Sequence, residues 1–227
     1  MARPKRSEHI DLQEAIKEAA WQQIAEEGAP ALSLRAIARK LGITAPAIYN
    51  YYPRRDDLVT ALIVDAFTSL GNSQKAALDA LPEDALDERL VTLGMAYRLW
   101  AVAYPQRYQL IFGTPIPGYH APADITLPAA AWALTALIHT LQAIFQASRL
   151  KIEELSPLTP ELQSMLEAWQ QFEGGHDIEV LYLALVIWSR VHGLASMEIG
   201  QQMPSFITDP AEVFRREVGH IRNQYLS

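Results

Sequence analysis

Apolar residues recur every three or four positions along almost the whole chain, which is the spacing of one face of an α-helix. The first such segment runs from about Glu8 to Glu27 and stops at a glycine. No segment shows the strong alternation of apolar and polar residues that is typical of a half-buried β-strand. The pattern therefore predicts an all-α fold.

Proline and glycine separate the later helical segments from one another. The pattern predicts helices over 83–104, 106–112, 128–150, 161–172, 178–200 and 210–225, with a loop over 113–128. The segment 128–150 is apolar enough to raise the alternative of a transmembrane span. It is at the low end of the roughly 20 residues that a span needs, and His139, Thr140 and Gln142 interrupt it. We therefore expect a buried core helix and no membrane partner.

Residues 34–58 stand out because two short helices follow each other across a tight turn. Ser33 stands where a hydroxyl caps the first helix, and Gly42 stands where that helix must end. Thr44 precedes the second helix, whose first turn contains Pro46. This arrangement predicts a helix-turn-helix, whose second helix enters the major groove of DNA. The alternative is a compact helical hairpin with no such role.

The net charge of −7 is unevenly distributed along the 227 residues. Residues 1–57 carry nine Lys or Arg against eight Asp or Glu, a balance of +1, whereas residues 58–227 carry ten against eighteen, a balance of −8. A locally basic segment attached to an acidic remainder is typical of a DNA reader with a second function. We therefore predict a DNA-binding domain over 1–57 and a helical ligand-binding and dimerisation domain over 58–227. A long fourth helix, beginning near Arg55, is expected to join them.

Several classes of chemistry are absent from the sequence. The chain has no cysteine, which excludes disulfides, thiolate zinc sites and a cysteine nucleophile. It also lacks glycine-rich phosphate motifs, HExxH, GxSxG and a dense cluster of metal-ligating residues. We expect no cofactor, no metal and no enzymatic activity. The first nine residues hold no apolar signal-peptide core, so we expect a cytoplasmic location.

The segment 42–58 resembles the signature of TetR-family transcriptional regulators. The matching positions are Gly42-Ile43-Thr44, then the run from Ala47 to Pro53, then Arg55 and Leu58. Two further stretches, YQLIFGTP over 108–115 and WSRVHGLASME over 188–198, resemble a TetR subgroup whose C-terminal domain is named for its Trp-His-Gly. The resemblance implies a ligand-responsive regulator, most often a repressor, that binds a palindromic DNA operator as a homodimer.

The second helix of the motif is expected to read DNA. Asn50 can pair with adenine through two hydrogen bonds, whereas hydroxyl and guanidinium groups around it would hold phosphates. The predicted DNA-contacting residues are Lys5, Arg6, Ser33, Thr44, Ala45, Pro46, Ala47, Tyr49, Asn50, Tyr51, Arg54 and Arg55.

The C-terminal part of the chain is rich in aromatic residues at helical spacing. Such residues suit the wall of a small-molecule pocket, although simple core packing explains them equally well. The predicted ligand-binding residues are Tyr97, Trp100, Tyr104, Tyr108, Phe112, Trp132 and His139. His192 is more readily explained as a hydrogen-bonded core histidine than as a ligand contact.

The two helices predicted over 178–200 and 210–225 carry more apolar surface than one small domain can cover. Two-fold pairing of these helices would form a four-helix bundle, with Trp188, Gly193 and Val218 near the interface. Two other interpretations stay open. One is a helical small-molecule-binding protein or enzyme with an incidental hairpin, and the other is a DNA-binding protein without a ligand.

Overall fold

The computed structural model describes the backbone of residues 6–227, and the side chains of residues 12–227 except those of Glu154 and Glu173. Within residues 6–227 the regular structure consists of α-helices, two short 3₁₀ turns and one isolated β-bridge between Leu150 and Leu226. The all-α prediction is confirmed.

The helices alternate with short connections along the chain. They are α1 (Arg6–Glu27), α2 (Leu34–Lys40), α3 (Ala45–Tyr49), α4 (Arg55–Asp79), α5 (Leu86–Ala103), α6 (Pro105–Phe112), α7 (Ala123–Gln146), α8 (Pro160–Glu173), α9 (Ile178–Ile199) and α10 (Pro210–Tyr225), with 3₁₀ turns at Ala29–Ala31 and Ile152–Glu154. The loop predicted over 113–128 is shorter than expected. Helix α7 already begins at Ala123 and contains Pro128 within its second turn, where proline removes only one backbone hydrogen bond.

The chain forms two compact units. The first, which we call the head unit, takes in the chain up to Phe67 together with Tyr104–Ala129. The second, the body unit, comprises Thr68–Ala103 and Ala130–Ser227. This division does not follow the predicted boundary between residues 57 and 58, because α6 and the segment after it belong to the head unit. The division into functional domains at residue 57 stays a prediction.

The head unit is built around one hydrophobic core. Ile16 of α1, Ile37 of α2, Ile48 of α3 and Leu62 of α4 are all almost completely buried there. Ile116, from the loop between α6 and α7, joins the same cluster. Burying one such side chain contributes about 1.5–3 kcal/mol, so these few residues hold α3 against α1 and α4.

The body unit has its own core, in which α5, α9 and α10 pack against one another and α8 packs on α9. A partly buried ion pair joins α5 to α9, with Arg98 Nε 2.8 Å from Glu198 Oε2. Helices α7 and α9 are long and apolar enough to cross a membrane, each with a mean hydropathy of 1.4 over its most apolar window. A core helix passes the same test, and Leu141 and Leu181 are fully buried here.

Gly71 in α4 allows the indole of Trp132 in α7 to approach the helix backbone. A methyl group on Gly71 would lie only 2.4 Å from Trp132 Cδ1. The indole is also fixed by its Nε1–H, which donates to Asn72 Oδ1 at 3.2 Å. Close packing between α4 and α7 therefore explains the glycine at this position.

Gly71→Ala should destabilise the protein by about 1–3 kcal/mol, because overpacking forces the indole away from α4. In a Trp132→Ala background the same change should instead stabilise it by about 0.5–1 kcal/mol, since alanine is favoured over glycine in an uncrowded helix. Urea unfolding of the wild type, the two single variants and the double variant measures both effects. An equal loss from Gly71→Ala in both backgrounds would contradict this account of the packing.

Candidate functional site

The helix-turn-helix is formed by α2, a short turn and α3. Ser33 caps α2, accepting a hydrogen bond from the Ala36 backbone N–H at 3.4 Å. Gly42 follows with a φ of +66°, a conformation that glycine adopts without steric cost. Thr44 stands at the N-cap position of α3, but its side chain makes no capping hydrogen bond. The hydroxyl of Thr44 is exposed instead.

Helix α3 has one buried and one exposed face. Ile48 is completely buried and anchors the helix in the core of the head unit. Most of the predicted base-reading and phosphate-binding residues are accessible to solvent: Thr44, Ala45, Pro46, Tyr49 and Asn50 are exposed, whereas Ala47 and Tyr51 are partly buried. The exposed set thus extends from the N-cap to the C-cap of a helix that the core holds in place.

Basic side chains on α2 extend this exposed surface. Arg35, Arg39 and Lys40 are all exposed, and the Lys40 amine lies 3.8 Å from a Glu26 carboxylate oxygen. The sequence places these residues in the basic region, but only the structure shows that they face solvent beside the turn of the motif. They are candidate phosphate contacts that the sequence-based set omits.

Arg54 and Arg55 lie at the start of α4 and differ in their partners. The Arg54 guanidinium bonds the Asp57 carboxylate, with NH2 2.7 Å from Oδ1, and remains largely exposed. This hydrogen bond raises the pKa of Arg54 and lowers the pKa of Asp57. Arg55 NH2 donates to the carbonyls of Ala29 and Pro30 at 3.2 and 3.1 Å. Arg55 therefore ties α4 to the turn after α1.

The DNA-contacting roles of these residues stay predictions. Arg55 has an additional structural role, because its donors already serve two backbone carbonyls of the head unit. Lys5 and the side chain of Arg6 lie outside the described residues.

The structure does not bring the predicted ligand-binding aromatics into one pocket. Tyr104, Tyr108 and Phe112 belong to the head unit, where the rings of Tyr108 and Phe112 are 5.2 Å apart. In the body unit Trp100 is almost fully buried, and its Nε1–H donates to Ser69 Oγ at 3.0 Å. Trp100 is therefore a core residue.

Trp132 and His139 do line a common cavity of the body unit. This cavity, which we call the α4–α7 cavity, has a volume of about 400 Å³. Leu78 and Ala136 supply apolar walls, and Arg89 is among the charged residues that line it. The contribution of α4 is absent from the sequence-based set, because helical spacing alone does not show which helix faces α7.

Tyr97 lines a second, much smaller cavity of the body unit, with a volume of about 30 Å³. Its hydroxyl is hydrogen-bonded to His192 Nδ1 at 2.9 Å, and the ring of Trp188 lies 5.0 Å from that imidazole. Burial lowers the pKa of His192, which favours the neutral imidazole near neutral pH. The geometry agrees with a hydrogen-bonded core histidine.

The residues predicted near a dimer interface occupy three different environments. Trp188 is partly buried. A Cβ on Gly193 would have no described atom of its own chain within 4 Å, apart from its helix neighbours. Val218 is buried against α5, where its methyl groups lie about 3 Å from the position of a Cβ on Gly94. Val218 therefore packs inside its own chain and is not available as an exposed interface residue.

Two family models match most of the chain. Residues 16–62 match the model for bacterial regulatory proteins of the tetR family, and residues 90–221 match the model for the tetracycline repressor-like C-terminal domain. The chain belongs to the TetR family. As a TetR-family protein it is a DNA-binding transcriptional regulator and not an enzyme.

Relatives that align with almost the whole chain are also named as regulators. The chain is 33% identical over 211 residues to the HTH-type transcriptional regulator Rv1816 of Mycobacterium tuberculosis, covering 92% of this chain and 90% of the relative. It is 35% identical to the regulatory protein SCO4313, with a TM-score of 0.79 and coverage of 96% and 98%. The TetR-family regulator PfmR of Thermus thermophilus shares the fold alone, at 15% identity, a TM-score of 0.59 and coverage of 92% and 97%. Membership of the Trp-His-Gly subgroup stays a prediction.

Proposed function

We propose that this TetR-family regulator binds a roughly palindromic operator as a homodimer, and that a mostly apolar ligand in the body unit weakens this binding. The observation that carries the DNA-binding part is the exposed surface of α3, which the buried Ile48 anchors to the core. Relief of repression by the ligand is the response we assign. The cytoplasm is the proposed location, because that is where a bacterial regulator meets DNA.

Base recognition is assigned to the exposed surface of α3. The Asn50 amide can pair bidentately with adenine, and Ala45 can contact a thymine methyl group. Phosphate contacts are assigned to the hydroxyls of Thr44 and Tyr49 and to the exposed guanidinium of Arg39, which hold the register without reading sequence.

Asn50→Ala should relax sequence preference by about 1–3 kcal/mol at one base pair, because the bidentate contact is lost. Arg39→Ala should weaken binding to every duplex and reduce the salt slope by about one. Fluorescence anisotropy across a salt series, with an operator selected from a random duplex pool, measures both effects. Arg215→Ala, which removes the same charge from α10, serves as the control. An unchanged sequence preference in Asn50→Ala would refute the proposed docking.

Homodimer formation is assigned to the exposed apolar face of α9 together with α10. Leu185 and Met197 of α9 are 42% and 37% exposed, which is unusual for a helix of such high hydropathy. Leu194 and Val213 line a groove between the two helices. A second copy packed against α9 and α10 would cover exposed side chains of both helices and produce a four-helix bundle.

Sedimentation at micromolar concentration should give twice the 25.4 kDa mass of the chain. Leu185→Glu should shift the protein towards the monomer, because it places a charge in the apolar interface. Leu99→Glu is the matched control, since Leu99 is even more exposed on α5. A wild-type mass of one chain, or equal effects of the two substitutions, would rule out this interface.

The α4–α7 cavity is the proposed ligand site. Its volume of about 400 Å³ falls in the range of ligand pockets, and Trp132, Leu78 and Ala136 supply apolar surface. A ligand can change DNA affinity only if it prefers one of two conformations of the protein. A coupling of roughly 1–3 kcal/mol would suffice for a 5- to 150-fold change in operator affinity.

Ala136→Phe should fill the α4–α7 cavity and prevent ligand binding while leaving operator affinity intact. A thermal-shift screen of planar aromatic compounds on the wild type would supply the probes. Compounds that raise the Tm of the wild type should no longer raise it in Ala136→Phe. They should still raise it in Ala168→Phe, which adds the same ring at an exposed position of α8. Equal shifts in both variants would place the ligand elsewhere.

A further inference from the structure

The carboxylate of Asp65 joins three helices of the head unit. Lys17 Nζ of α1 lies 3.2 Å from Oδ1, and Trp21 Nε1 of the same helix lies 3.2 Å from Oδ2. Arg107 NH1 of α6 lies 2.9 Å from Oδ2. Because Asp65 itself belongs to α4, this one side chain bonds α1 and α6 to α4 at the same point.

Arg107 is fixed by aromatic rings as well as by the carboxylate. Its guanidinium carbon lies 5.0 Å from the centre of the Trp21 ring and 5.2 Å from that of Tyr104. A planar guanidinium can stack on rings while bonding a carboxylate, whereas a lysine amine cannot reproduce this geometry. The side chains of Arg107 and Asp65 are 23% and 26% exposed, so water screens their attraction less than it would on the open surface.

The charges of this cluster balance one another. Lys17 and Arg107 are opposed by Asp65 and by Glu14, whose carboxylate lies 2.9 Å from the Lys17 amine. Burial works against a charged Lys17, but its hydrogen bond to Glu14 and the charge of Asp65 raise its pKa. Lys17 is therefore cationic at neutral pH, and the loss of the Asp65 charge would leave Arg107 without its carboxylate partner.

Helix α6 is placed to pass on a change from the body unit. It follows α5 of the body unit with only Tyr104 between them, yet it packs on α1 within the head unit. The loop after α6 is anchored there too, because the Tyr119 hydroxyl lies 2.9 Å from Thr60 Oγ1. A displacement of α6 would therefore act on α1 and α4 through the Asp65 cluster.

We propose that Asp65 is a positioning residue that couples the position of α6 to operator affinity. With Arg107 docked on Asp65, α1 and α4 hold α3 in the arrangement that binds DNA, and release of Arg107 weakens that binding. This inference rests on the proposed function. Because coupling is reciprocal, operator binding must in turn stabilise the docked α6.

Hydrogen exchange with and without the selected operator duplex tests this coupling. In the wild type, operator should slow the exchange of amides in 105–112 as well as in 45–49, by about fivefold or more for a coupling of roughly 1 kcal/mol. In Asp65→Asn, which keeps an acceptor but loses the charge, protection of 45–49 should persist and the response of 105–112 should disappear. Arg107→Lys, which keeps the charge but not the stacking, should retain part of that response.

The matched control is Asp87→Asn, which neutralises a carboxylate paired with Arg149 in the body unit. It should leave the response of 105–112 at the wild-type value. An operator response of 105–112 that is absent in the wild type, or undiminished in both Asp65→Asn and Arg107→Lys, would overturn the coupling alone. Absence of operator protection at 45–49 in the wild type would overturn the proposed DNA docking and this inference together.

Discussion

Burial of Ile48 in the core of the head unit is the constraint on which the geometry of the helix-turn-helix depends. Helix α3 has only five residues, too few to be stable in water by itself, so packing must hold it in place. With Ile48 buried in the same core as Ile37 and Leu62, the helix period places Asn50 on the exposed side of α3. The surface that we propose to read DNA therefore depends on apolar packing behind it.

Helix α6 and the loop after it are bound to the same head unit. Ile116 packs into the core from the loop after α6, and the Asp65 carboxylate accepts hydrogen bonds from side chains of α1 and α6. Helix α4 is continuous from the head unit into the body unit, and α6 follows directly from α5. The chain thus passes between the two units three times, in α4, between α5 and α6, and in α7, and the charged cluster at Asp65 bonds α4 to α6 within the head unit.

The body unit shows why aromatic residues at helical spacing are a weak guide to a pocket. Trp100 is buried in the core and hydrogen-bonded to Ser69, and Tyr97 is buried and hydrogen-bonded to His192. Where α4 approaches α7 at Gly71, a cavity of about 400 Å³ is left, with Trp132 as one of its walls. Helical spacing defines which residues share a face, but it carries no information on which face of another helix lies opposite.

The sequence by itself determined the features that depend on neighbouring residues. The helical period, the Ser33 cap and the Gly42 turn predict the all-α fold and the helix-turn-helix, because caps and periods act over a few residues. Tertiary structure decided the rest. Arg55 bonds carbonyls about 25 positions away, Arg107 reaches Asp65 across 42, and Val218 is buried beneath α5. Such contacts depend on how helices distant in sequence pack together, which local spacing does not encode.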